Sequence, residues 1–111
     1  MPAGFSVVSD ERRNAERVPL TLEVHWEGLS GQRTARISDL SLGGCYIESL
    51  GHVIIGETIV FDILLPTGRV LPVRGEVVYH LPTLGFGVRF VGVTDLERTL
   101  LANLIDYVRG S

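Results

Sequence analysis

Apolar and polar residues alternate along most of the chain. Val18, Leu20, Leu22, Val24 and Trp26 interleave with Pro19, Thr21, Glu23 and His25. That period of two predicts a strand with one buried face, and Pro19, which has no N–H to donate, belongs at its entrance or on a sheet edge. A second strand is expected over residues 33–38 and a third over 45–50. Ile59, Phe61, Ile63 and Leu65 share one face of a fourth over 58–65, with Asp62 on the other. Leu71, Val73, Val77 and Tyr79 stand in phase in a fifth over 70–79, and Phe86, Val88 and Phe90 in a sixth that ends near Gly92. Glycine- and proline-bearing segments at 28–31, 66–68 and 82–85 mark turns. The last segment changes period. Leu96, Leu100, Leu101, Leu104, Ile105 and Val108 fall on one helical face over 95–109. Thr94 and Glu97 have the spacing of a capping box at its start, and Gly110 ends it.

Six short strands at even spacing predict a mostly β fold with the sheet closed on itself, since closure removes unpaired edges. The helix then covers one open end or seam with its apolar stripe. The 111 residues make one ordinary domain, able to bury about two thirds of its unfolded surface without a metal or disulfide staple. Residues 1–11 have weak periodicity and read as a flexible lead-in. Ten basic against thirteen acidic residues give a net charge of −3, which opposes general binding of DNA or RNA but leaves room for a small anion held by a local cluster. The first twenty residues carry Asp10, Glu11, Arg12, Arg13, Glu16 and Arg17 and no long apolar run, unlike a signal peptide. No stretch has spanning length. A cytoplasmic protein without membrane insertion is expected.

The sequence gives little support to catalysis. There is no Gly-x-Ser-x-Gly, His-Glu-x-x-His or phosphate loop. His25, His52 and His80 are scattered, and the single cysteine, Cys45, excludes an intrachain disulfide and a thiolate metal cluster. All ten basic residues are arginine, so lysine chemistry is absent as well. We therefore expect no enzyme, no metal and no cofactor. Trp26 is in core phase, and Cys45 reads as a small buried residue.

Two polar clusters remain. Arg13 and Arg17 are four residues apart, with Arg12 directly before them. The planar guanidinium fork suits phosphate oxygens or the O6/N7 edge of guanine, although such a run also occurs as a solvated surface paired to Glu11 and Glu16. The second cluster is Asp39-Leu40-Ser41-Leu42-Gly43-Gly44. In an extended segment Asp39 and Ser41 point to one face. A carboxylate there can accept from guanine N1–H and N2–H₂, a hydroxyl can donate to a phosphate, and Gly44 lets the backbone turn or approach a flat ligand. An ordinary turn between strands is the plainer reading of that segment taken alone.

The two clusters together, in this order ahead of and between the strands, resemble the PilZ domain, a bacterial receptor module for cyclic di-GMP. Arg13-Asn14-Ala15-Glu16-Arg17 is similar to the family's RxxxR motif, and Asp39 to Gly44 fills every position of its (D/N)xSxxG motif. Residues 84–90 and the last helix are similar to its final strand and C-terminal helix. The resemblance spans about residues 11–109 and implies a six-stranded antiparallel barrel over 18–92 and a helix over 95–109, within a domain of 12–111. It further implies that residues 12–17 form a ligand-binding arm whose Arg13 and Arg17 grip the phosphates and guanines of cyclic di-GMP. Asp39, Ser41, Gly43 and Gly44 would form the floor. An arginine directly before RxxxR, here Arg12, implies an intercalated ligand dimer. Ligand would order the arm, and the domain would act in trans on an unidentified protein partner, as monomer or homodimer. The alternatives are a PilZ-fold interaction module that binds no nucleotide, and a small barrel for single-stranded nucleic acid. The core phase of the aromatic residues and the negative charge oppose the latter.

Overall fold

The computed structural model describes residues 16–110. Its strands are β1 (Val18–Gly28), β2 (Gly31–Leu40), β3 (Gly44–Glu48), β4 (Thr58–Leu64), β5 (Val70–Leu81) and β6 (Gly85–Val91), followed by helix α1 (Asp95–Arg109). The strands close into a barrel in the order β1-β2-β3-β6-β5-β4, with β4 returning to β1 and every neighbouring pair antiparallel. The expected lead-in, together with Arg12 and Arg13 of the arm, lies outside the described residues.

Alternation puts one side chain in two into the barrel. Val24 and Trp26 point in from β1, Ile37 from β2, Cys45 and Ile47 from β3, Ile59, Phe61 and Ile63 from β4, and Phe86 and Val88 from β6. Trp26 meets the ring of Phe86 edge-on, with centroids 5.2 Å apart. Among the described residues, twenty-two buried apolar side chains form one connected core, and its burial is the main source of stability.

The ladder slips in three places. Pro19 pairs with Asp39 but Leu22 pairs with Ile37, so Leu20 and Thr21 together oppose Ser38. Ser38 is in turn an extra residue against β3, between Ile37↔Ile47 and Asp39↔Tyr46. On β5, Val78 is extra between Val77↔Val88 and Tyr79↔Gly87. A bulge reverses which side chains point inward beyond it. Tyr79 is accordingly outside the barrel, 39% exposed, and not in core phase with Leu71, Val73 and Val77 as the alternation predicts.

The capping box of α1 is made as its spacing predicts. Thr94 Oγ1 accepts from the Glu97 N–H at 3.1 Å, and Glu97 Oε1 accepts from the Thr94 N–H at 2.9 Å. Leu101, Leu104 and Ile105 are buried. Leu96, expected on the same face, is exposed in the first turn. Hollows flank the helix, one lined by Glu16 and Leu42, the other by Leu65 and Pro66, so it lies across the barrel end where β1 begins.

Candidate functional site

The structure brings the described end of the arm onto the wall bearing the second motif. Arg17, immediately before β1, donates from Nη1 to Asp39 Oδ1 at 2.5 Å. Both side chains are partly open to solvent. The bulge at Ser38 sets Asp39 on the outside of β2, and the Val18↔Leu40 and Pro19↔Asp39 pairs bring the start of β1 alongside it. Glu16 faces the other way, accepting from Arg109 of α1 at 3.0 Å. Two consecutive residues thus tie the root of the arm to both the barrel wall and the helix. A hollow of about 340 Å³ lies beside that root, between Glu16, Leu42 and Ala102, Ile105, Asp106 and Arg109.

Ser41 is placed differently from the sequence expectation. It follows the end of β2, is buried, and does not share a face with Asp39. Its Oγ accepts from the N–H groups of Gly43 and Gly44 at 3.3 and 3.1 Å and donates to the Gly44 carbonyl at 3.2 Å. The Ser41 N–H donates to that same carbonyl at 2.8 Å. The hydroxyl is therefore spent within the turn between β2 and β3. The Gly43 carbonyl accepts from the Phe90 N–H at 2.9 Å and fastens the turn to β6. Close approach of protein is enough to require Gly44: a Cβ there would stand 2.1 Å from the Val88 carbonyl oxygen.

The wall continues past Asp39 with residues the sequence reading did not assign to the site. The register sets Asp39 of β2 beside Tyr46 of β3, Tyr46 beside Gly87 of β6, and Gly87 beside Tyr79 of β5. The two tyrosine rings meet over Gly87 with centroids 6.1 Å apart and 24° between planes. A Cβ on Gly87 would lie 2.3 Å from the Tyr79 ring, so only glycine lets the ring settle there. Tyr46 is legible in retrospect, since Cys45 and Ile47 point inward and the residue between must point out. Arg89, two residues along β6 from Gly87, also lies outside and donates to Glu76 at 2.5 Å.

Burial pushes the Cys45 thiol far above its ordinary range, with the Asp39 carboxylate adding to the effect and Arg17 opposing it. Cys45 is thus an inert core residue directly behind the site. The Tyr46 hydroxyl is also shifted upward, first by partial burial and then by Tyr79, Glu48 and Asp39. Of the histidines, His25 pairs with Glu23 at 2.8 Å, while the rings of His52 and His80 meet edge-on at 6.1 Å. No cluster of three or more metal-ligating side chains occurs among the described residues. No described helix is long and apolar enough to cross a membrane.

The model of the PilZ domain family matches residues 11–107 of the chain. No match is found among curated proteins. Among solved structures, the PilZ domain of YcgR from Escherichia coli with c-di-GMP superposes with a TM-score of 0.73 at 16% identity, covering 89% of this chain and 92% of that one. The PilZ domain of CeSA from a cellulose-synthesizing bacterium gives 0.61 at 19% identity, covering 86% and 97%. The Borreliella burgdorferi PlzA protein in complex with c-di-GMP gives 0.66 at 18%, covering 96% of this chain but 45% of that one. At these identities the likeness is one of fold.

Proposed function

Since the chain belongs to the PilZ domain family, we propose that it is a cytoplasmic receptor for cyclic di-GMP. The observation that carries this reading is the Arg17–Asp39 contact: the last arginine of one motif touches the acid of the other. The ligand would exchange these partners. A phosphate takes the Arg17 guanidinium, joined by Arg12 and Arg13, and the released Asp39 carboxylate accepts from the guanine N1–H and N2–H₂ edge. Two of the solved relatives by fold are complexes with c-di-GMP, which supports the choice of ligand. Arg12 favours a bound intercalated dimer.

Ordering the arm costs roughly 1–2 kcal/mol per residue, while each charge-assisted hydrogen bond returns about 1.5–3 kcal/mol. Several contacts must therefore form together, which makes arm closure switch-like. The closed arm changes the surface that a protein partner meets in trans. Ser41, Gly43 and Gly44 serve by fixing the turn that presents Asp39. The role is that of a binding module, not of an enzyme.

Calorimetric titration with cyclic di-GMP tests the reading. Saturable binding is expected, with affinity at least tenfold weaker in Arg13→Ala and in Arg17→Ala, as loss of one charge-assisted bond implies. Asp39→Ala should lose discrimination against cyclic di-AMP. Unchanged affinity in both arginine variants overturns the site, and no heat from the wild type overturns the receptor.

A further inference from the structure

The outer wall beside Asp39 carries a feature that barrel closure does not need. Two aromatic residues stand on the outside of β3 and β5, and the strand between them presents a glycine at the one position where a side chain would keep the rings apart. The rings are stacked with centroids 6.1 Å apart and planes 24° apart, the separation of an offset pair and not of an eclipsed one. Tyr79 keeps 39% of its surface in solvent. Tyr46 is the direct cross-strand neighbour of Asp39, about 5 Å away along the ladder. The paired rings, the acid and Arg17 thus form one continuous strip, with Arg89 at its flank.

We propose that Tyr46 and Tyr79 are a stacking platform for a purine base of the bound nucleotide, an inference that rests on the receptor reading above. Every purine has a π-face that an aromatic ring can carry. A base laid on Tyr46 has its edge beside Asp39 and its phosphate on the Arg17 side. Tyr79 extends the surface by one ring and gives a second, outer base somewhere to lie. The motif residues supply hydrogen bonds and charge, and the platform supplies the flat apolar contact that they lack. The chemical class recognised is therefore an anionic purine dinucleotide, and a dinucleotide of pyrimidines would gain less from the wall.

A tyrosine laid over a cross-strand glycine also helps hold a sheet together, so the test separates the two roles. Cyclic di-GMP is titrated into wild type, Tyr79→Ala, Tyr46→Ala and Tyr79→Phe, with thermal melts of each. Both alanine variants should bind at least fivefold more weakly, the range expected for one base–aromatic stack, and Tyr79→Phe should bind like wild type because the ring is kept. On the wild-type complex, NMR should show upfield shifts of guanine H8 together with shifts of the two tyrosine ring resonances. The NMR readout stands even if an alanine variant fails to fold. Wild-type binding with no ring shifts, or with unchanged affinity in folded alanine variants, overturns the platform and leaves the receptor intact. Wild type that binds no cyclic di-GMP overturns both.

Discussion

Asp39 and the turn from Ser41 to Gly44 belong to one six-residue segment, yet the fold uses them in opposite ways. Asp39 sits on the outer wall, half-exposed, in an ion pair with Arg17. Ser41 is buried, and its hydroxyl makes three hydrogen bonds inside the turn. Gly44 packs its backbone against that of β6. A motif written as a single string therefore divides into a residue that stands open on the wall, the one to which the receptor reading gives recognition, and residues that hold it in place, and the two parts should fail differently.

Substitution at Gly44 should have the largest effect. A Cβ 2.1 Å from the Val88 carbonyl cannot be relieved by turning a side chain. Gly44→Ala should cost about 3 kcal/mol or more, read as a lower urea midpoint, with binding lost along with the fold. Ser41→Ala comes next: it strands the Gly43 and Gly44 N–H groups and should cost about 1–3 kcal/mol, while the fraction that stays folded still binds cyclic di-GMP. Asp39→Ala reverses the pattern. Its pair with Arg17 is partly solvated, so stability should change by less than about 1 kcal/mol, and the change should appear in guanine selectivity. If Ser41→Ala abolished binding without loss of stability, the division of labour drawn here would be wrong.

The smallest effect concerns the thiol behind the wall. Burial raises the Cys45 pKa in the folded state. The folded protein holds that proton where the unfolded chain releases it. This contribution to stability is fully present below the ordinary thiol value of about 8.5, and it is lost as pH rises through that value toward the folded one. Thermal melts between pH 7 and pH 10 should show a decline in wild type that is shallower in Cys45→Ala.

Most of the fold is visible in the sequence because the period of two is strong. Buried Ile59, Phe61 and Ile63, or Val24 and Trp26, leave little choice of face. What the period cannot show is a bulge. One extra residue at Val78 turns Tyr79 outward, and one at Ser38 sets the direction of Asp39. Ser38 leaves no mark on the pattern, since a polar residue satisfies the alternation there, and Val78 shows only as one apolar residue at an outward position. The site is legible in part. Arg17 and Asp39 are recognisable from their spacing in the chain, and their contact joins segments 22 residues apart. Ser41 is expected on the face of Asp39 and is found bonded within its own turn, since a hydroxyl spent there and one offered to a phosphate read identically as letters. Leu96 fails for a simpler reason: helical phase names a face, but the first turn of α1 extends past the surface that the rest of the face covers.

The Glu16–Arg109 pair brings residues 93 positions apart within 3.0 Å. Entry to the barrel and exit from the helix consequently share one pole of the molecule, the pole where Arg17 reaches Asp39. Such geometry suits circular permutation through a short linker, and it suits insertion as a cassette into a host protein. In either arrangement the junctions would sit next to the wall that carries Asp39, so a reporter fused there would be well placed to sense what binds it.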